Sequence, residues 1–215
     1  MSAESGISTF RDSNGLWENH DIMEVASPEG WRKNPTLVLD FYNKRRAQLK
    51  EVKPNRGHEI LAELEKDYIV QIITQNVDNL HEEAGSNNIL HLHGELTKVR
   101  SVANENFILD WTEDVHLGDT DDKGNQLRPH IVWFGEEVPA IEQAIPMMEE
   151  ADAVIIIGTS LQVYPAAGLM HYAKPHVPVY YIDPNPATIY DLANPLEVLA
   201  MSASEGMERI MNYEL

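Results

Sequence analysis

The segment TQNVDNLH, Thr74 to His81, gathers three amides, a carboxylate and a histidine directly after an apolar stretch. Where a buried strand ends, such side chains suit ribose hydroxyls and carboxamides, which need donors and acceptors at fixed spacing. The same composition also suits an Asx-rich turn that binds nothing. Further on, HLHGEL at His91 to Leu96 sets two histidines two residues apart. In an extended chain they share a face and could hold a metal, although spacing identifies no third ligand. A histidine beside a glycine equally suits a general base at a loop, or a turn histidine satisfied by its neighbours. GTSLQVYPAAG, Gly158 to Gly168, has the small polar residues of a strand-to-helix turn facing a phosphate, but it lacks the GxGxxG spacing. SAESGISTFRD, Ser2 to Asp12, taken alone is a Ser/Gly turn ahead of an aromatic.

These segments need elements to position them. YIVQIITQ at Tyr68 to Gln75 and AVIIIGTS from Ala153 read as strands buried on both faces. The second is followed by a helical pattern after Pro165, a strand at Val179 to Ile182, a helix near Pro186, a strand around Val198 and a last helix from Glu205. Alternating strands and helices predict an α/β fold, with parallel strands, right-handed crossovers, and ligand sites at the strands' carboxyl ends. A second texture is irregular: residues 14–56 read as a loop and two helices, and residues 97–128 as a polar excursion rich in Asp, Gly and Asn. Asn34 suits an N-cap and Pro35 the first helical position, and Leu37, Val38 and Phe41 recur at helical spacing, which predicts a helix from Pro35 to about Lys50. The expected division is a large lobe of about residues 1–13, 57–96 and 129–215, with a small lobe inserted as residues 14–56 and 97–128.

Composition sets outer bounds. The 215 residues, 43% hydrophobic and 24% charged, suffice for one core and a small second lobe. Thirty-five acidic against sixteen basic residues give a formal charge of −19, which repels a phosphate backbone and argues against a nucleic-acid partner. No apolar run approaches the roughly 20 residues of a membrane span. A cysteine-free chain with no basic-then-apolar leader is expected in the cytoplasm.

In their order and spacing, SAESGISTFRD, TQNVDNLH, HLHGEL, RPHIVWFGE and GTSLQVYPAAG together resemble the motifs of sirtuins of the bacterial type. These are NAD-consuming enzymes that remove acyl groups from lysine side chains, and the resemblance spans the chain from residue 2 to its end. It implies a Rossmann-like sheet plus the small lobe, with NAD and an acyl-lysine peptide entering the cleft between them. By position, Phe10 and Arg11 match the loop that closes over the nicotinamide ribose and pyrophosphate. Gln75, Asn76, Val77 and Asp78 match the set around ribose and carboxamide, and Gly158, Thr159 and Ser160 the turn beneath NAD. Asp183, where the family has an asparagine for the adenosine ribose, is followed by Pro184 and Asn185, and Ala203 falls at the adenine. His93, directly before Gly94, matches the catalytic base, while His91 is expected to pack in a strand. The implied reaction expels nicotinamide, lets the acyl oxygen attack the anomeric carbon, and uses His93 to take a proton from the ribose hydroxyls, giving free lysine and O-acyl-ADP-ribose. The peptide is expected as an added strand between Val132, Trp133, Phe134, Gly135 and Glu136 on one side and Leu161 to Tyr164 on the other.

Tyr42 and Arg45, three apart on the predicted helix, present a phenol and a guanidinium fork suited to a carboxylate, although a basic run is also what a solvated helix face looks like. The segments EVASPEGW and FYNKRR resemble those of sirtuins that remove succinyl and malonyl groups, with Ala26 leaving room for the longer acyl chain. Two departures accompany the resemblance. KVRS at Lys98 to Ser101 and GDTDDKG at Gly118 to Gly124 lack the family's zinc cysteines, so no structural zinc is expected and no metal ligand is assigned. The family's first strand and GAG turn would lie immediately upstream of Met1, which makes Met1 look like an internal methionine. Rival readings are a mono-ADP-ribosyltransferase, an inactive NAD or ADP-ribose-binding module, and a metal hydrolase built on His91 and His93; the oligomeric state is open.

Overall fold

The computed structural model describes residues 1–7, 16–17 and 20–212. After a 3-10 turn at Ser2–Ser5 come β1 (Leu16–Trp17), β2 (His20–Asp21), α1 (Ile22–Val25), α2 (Pro28–Lys33), α3 (Pro35–Leu49) and α4 (Arg56–Leu64). Then follow β3 (Ile72–Thr74), α5 (Leu80–Ala84), β4 (Ile89–His91), β5 (Gly94–Ser101), β6 (Ile108–Asp110) and β7 (Leu127–Ile131). The chain ends with α6 (Ile141–Glu150), β8 (Val154–Ile157), a 3-10 helix at Ala166–Tyr172, β9 (Val179–Ile182), β10 (Leu196–Leu199) and α7 (Ala203–Met211).

The parallel strands form an α/β layer in two parts. β3 pairs with β4, and β8, β9 and β10 pair in the order β10-β9-β8. Helices cover both faces. α4 and α7 bury Ile60, Leu61, Met207 and Ile210 against Ile72, Ile182 and Leu199. On another face, Ala144 and Met148 of α6 pack with Leu169, Val154 and Val179. α7 comes so close to β9 that a Cβ at Gly206 would collide with the Ile182 side chain, so glycine is required there.

The remaining elements surround a third, antiparallel sheet of order β6-β5-β7. α3 starts where the sequence predicts: Asn34 caps it by accepting the Leu37 N–H at 3.1 Å, and Pro35 takes the first position. Its burial is not confined to one stripe, because Phe41 and Tyr42 pack against Trp133 and Ile131 while Leu39 packs against Val99 and Leu127. Asn43 ties the helix to a long loop, accepting the Val115 N–H at 2.9 Å and donating to its carbonyl at 3.0 Å.

Four expectations need correction. The strand expected over Tyr68 to Gln75 is only Ile72–Thr74, and Ile69 is 90% exposed. β3 is paired with β4 alone, and residues 68–71 line a cavity, so they have no second ladder to extend. Between residues 22 and 49 there are three helices rather than two, because Ala26 and Asn34 each end one. Within the polar excursion, β5 and β6 pair at Lys98, Val99 and Arg100. No helix forms near Pro186: the Asn185 N–H bonds the Asp183 carboxylate at 2.8 Å and the Ala187 N–H bonds the Tyr181 hydroxyl at 3.1 Å, which diverts both donors from a helical ladder. Among the described residues, no helix is long and apolar enough to cross a membrane.

Candidate active site

The carboxyl ends of β3 and β8 open onto one cavity of about 1540 Å³. Gln75, one residue past β3, reaches Thr159, two past β8, at 3.5 Å. Asn76 donates to the Ser2 hydroxyl at 2.8 Å, bringing the start of the chain to the same place. Gly158 has φ +63, and a Cβ there would strike the Met1 backbone, so the strand-to-turn junction depends on glycine. Val77, Asp78 and Ser160 line the same space, as do Asp183, Pro184, Asn185 and Ala203. Asp78 is buried, and its carboxylate accepts the Leu80 N–H at 3.2 Å, fixing the turn into α5.

His91 and His93 take the carbonyl oxygens of two successive residues. His91 Nδ1 lies 3.1 Å from the Asn76 oxygen and His93 Nδ1 lies 3.2 Å from the Gln75 oxygen. They differ beyond that. His91 Nε2 is 2.7 Å from Glu82, which occupies both ring nitrogens. Burial alone would lower the His91 pKa, yet Glu82, with Glu95 and the Asn76 carbonyl, leaves it raised, and the ring links the Asn76 carbonyl to the Glu82 carboxylate. His93 lines the cavity with one nitrogen engaged, and burial lowers its pKa against the opposing Gln75 carbonyl. A neutral imidazole holding its Nδ1 hydrogen on a carbonyl has Nε2 ready to accept a proton. The glycine that follows is required: Gly94 has φ +81, and a Cβ there would run into the His130 carbonyl.

Ala26, Tyr42, Arg45, Ile131 and Trp133 also line the cavity. The His93 carbonyl accepts the Val132 N–H at 2.9 Å, joining the histidine to the turn of Val132, Trp133, Phe134 and Gly135. The Phe134 N–H in turn bonds the Ala26 carbonyl at 2.9 Å. Tyr42 and Arg45, at 0% and 6% exposure, line the cavity from α3, which rules out the solvated-face alternative for that pair. Burial raises the Tyr42 pKa, while the Trp133 hydrogen bond and the Arg45 charge oppose it, so the phenol stays protonated. The neighbouring Arg46 does different work, donating to the Leu96 carbonyl and the Asn43 amide oxygen at 2.8 Å each.

Comparison with known proteins decides the family. The Sir2 family model matches residues 1–165. An NAD-dependent protein deacylase of Helicobacter pylori is 57% identical over 211 residues, covering 98% of this chain and 92% of that protein. This chain belongs to the Sir2 family. The crystal structure of a Sir2 homolog–NAD complex matches with a TM-score of 0.86 at 36% identity, over 97% of this chain and 83% of that one. A structure of Sir2 bound to acetylated peptide matches with a TM-score of 0.78 at 30% identity, over 98% and 87%.

In this sirtuin, every described residue that the sequence assigns to cofactor, catalysis or substrate lines the one cavity. Phe10 and Arg11 lie outside the described residues. The polar rim and the glycine-lined junction fit a dinucleotide. The residues in place of the family's zinc cysteines do not fit zinc. Asp121 accepts from the Ser101 hydroxyl at 2.6 Å, from the Lys123 and Asn125 N–H groups at 2.9 and 2.8 Å, and from the Asn125 amide at 2.9 Å. Among the described residues, no group of three or more His, Cys, Asp or Glu is arranged to hold a metal. Sequence reading missed Ser2, although it lies inside SAESG, and missed Arg128, the first residue of the RPHIVWFGE motif.

Proposed function

We propose that this sirtuin removes acyl groups from protein lysine side chains in an NAD-dependent reaction, and that it takes acyl groups ending in a carboxylate, such as succinyl and malonyl, as well as acetyl. The observation that carries the proposal is that His93, the polar set at Gln75, Asn76 and Asp78, and the Tyr42–Arg45 pair all face one cavity. The Helicobacter pylori relative is named an NAD-dependent protein deacylase, and matching Sir2 structures hold NAD or an acetylated peptide.

NAD, when bound, supplies a glycosidic bond whose cleavage releases nicotinamide and leaves the ribose carbon open to the acyl oxygen. The chain does the rest. Gln75, Asn76 and Asp78 orient the ribose and carboxamide, and Asp183 accepts from the adenosine hydroxyls. His93 takes a ribose hydroxyl proton at Nε2, so that the hydroxyl oxygen can receive the acyl carbon. Tyr42 and Arg45 meet the far end of the acyl chain, where an Arg fork matches a carboxylate in two hydrogen bonds. The peptide backbone lies as an added strand between Val132–Glu136 and Leu161–Tyr164, a mode that reads side chains loosely.

The test is turnover of matched succinyl-lysine and acetyl-lysine peptides with and without NAD. NAD-dependent release of both acyl groups supports the proposal. ADP-ribose transferred to the peptide in place of acyl removal would instead make the protein a mono-ADP-ribosyltransferase.

A further inference from the structure

Arg128, on β7 and 7% exposed, is not among the residues that line the cavity. It touches the substrate-side turn at its beginning, middle and end. Nη2 donates to the Ile131 carbonyl at 3.0 Å, the guanidinium carbon sits 3.6 Å from the Trp133 ring centroid, and both terminal nitrogens meet the Glu136 carboxylate at 2.8 Å. Glu136 closes the unit by accepting the Trp133 N–H at 2.8 Å, and Arg100 adds a bond to the same carboxylate at 3.0 Å. The Trp133 indole is thus held from one side by a stacked cation and through its own backbone by that cation's partner.

What Trp133 does with this fixed position is specific. Its indole nitrogen lies 3.0 Å from the Tyr42 hydroxyl. An indole N–H only donates, so the phenol oxygen accepts and the phenol's own hydrogen is directed to a different acceptor. The hydroxyl belongs to a side chain that lines the cavity beside Arg45. A carboxylate at the end of an acyl chain accepts such a hydrogen, whereas an acetyl methyl cannot.

We infer that Arg128 is a positioning residue for acyl choice: by holding the Trp133 indole it sets the direction in which Tyr42 donates, and so favours acyl chains that end in a carboxylate. The inference rests on the acyl reading of Tyr42 and Arg45 given above. Lysine cannot replace this function, because a compact ammonium neither stacks flat on an indole nor makes the paired bonds to Glu136.

The experiment is a double-mutant cycle between Arg128→Lys and Tyr42→Phe, read as kcat/KM on succinyl-lysine and acetyl-lysine peptides at saturating NAD, with the KM for NAD measured alongside. Arg128→Lys is expected to lower the succinyl-to-acetyl ratio roughly threefold to tenfold, less than the full worth of a hydrogen bond to a carboxylate because the Tyr42 donor is misdirected and not removed. The loss should appear in the KM for the succinyl peptide, with the KM for NAD unchanged. It should not exceed the loss from Tyr42→Phe, and adding Arg128→Lys to Tyr42→Phe should lower the ratio no further. Equal losses on the two peptides, or losses that add, would overturn the inference and leave Arg128 a structural pin. If Arg128→Lys does not fold, Trp133→Phe enters the same cycle with the same two outcomes. If Tyr42→Phe and Arg45→Met both leave the ratio unmoved, the acyl reading itself fails, and this inference with it.

Discussion

His93 Nδ1 faces the Gln75 carbonyl oxygen at 3.2 Å, and that contact decides which ring nitrogen is left to accept a proton. A carbonyl only accepts, so Nδ1 keeps its hydrogen, and in the proposed reaction Nε2 serves as the base. Burial lowers the His93 pKa below the ordinary histidine value of about 6.5. The neutral ring is the working form, so activity should be flat above that pKa and fall about tenfold per pH unit below it. A profile of kcat/KM from pH 5 to 8 should therefore place the acid limb below about 6.5. A limb above neutrality would assign it to another group.

Arg45→Met should depress desuccinylation far more than deacetylation. A hydrogen bond to a charged group is worth roughly 1.5 to 3 kcal/mol, which corresponds to about a tenfold to hundredfold loss in kcat/KM on the succinyl peptide alone. Tyr42→Phe should act in the same direction more weakly. Equal losses on both peptides would remove these residues as readers of the acyl chain.

Acid should destabilise the fold through a buried pair. The rings of His58 and His81 are 4.8 Å apart, at 0% and 4% exposure. Burial lowers both pKa values, that of His58 to about 3 with a further push from His81, while Asp78 and Glu82 oppose the shift at His81. Both folded values lie below the unfolded one, so the unfolded chain takes up protons that the native fold refuses. The stability is whole above about pH 6.5 and is lost as pH falls toward 3, at up to about 1.4 kcal/mol per unit per histidine. His58→Gln keeps an acceptor for the Asn55 N–H of the capping box and removes one of the two rings. Thermal melts at pH 7 and pH 5 should show a shallower acid loss in the variant, and an unchanged loss would exonerate the pair.

The loop between β6 and β7 is held by the Asp121 carboxylate, so Asp121→Ala should lower the melting temperature, while a chelator such as EDTA should leave that of the parent chain unchanged. A drop in the parent's melting temperature on chelation, reversed by zinc, would show that this loop binds metal after all.

Local signals carried much of the site. TQNVDNLH and HLHGEL sit at the ends of β3 and β4, paired in register from Ile72 with Ile89 to Thr74 with His91, so residues adjacent in sequence arrive together at the cavity. The Asn34–Pro35 cap and the Val179–Ile182 strand were legible for the same reason: their causes lie within a few residues. Non-local causes were hidden. Arg46 reads as part of a basic surface run, but the Leu96 carbonyl, fifty residues away, makes its burial tolerable. The length of β3 depends on which edge finds a partner, which residues 68–75 do not encode. Near Pro186 the signal was present but misread, since an aspartate two residues before an amide is also an Asx-turn pattern.

The most direct test of the central claim is mass spectrometry of an acyl-lysine peptide incubated with the parent chain and with His93→Ala, each with and without NAD. The account predicts that only the parent chain with NAD yields substantial deacylated peptide, together with stoichiometric nicotinamide and O-acyl-ADP-ribose. His93→Ala should be slower by on the order of 100-fold to 10,000-fold at an unchanged melting temperature. Deacylation that proceeds without NAD, or near-normal turnover by a folded His93→Ala variant, would contradict it.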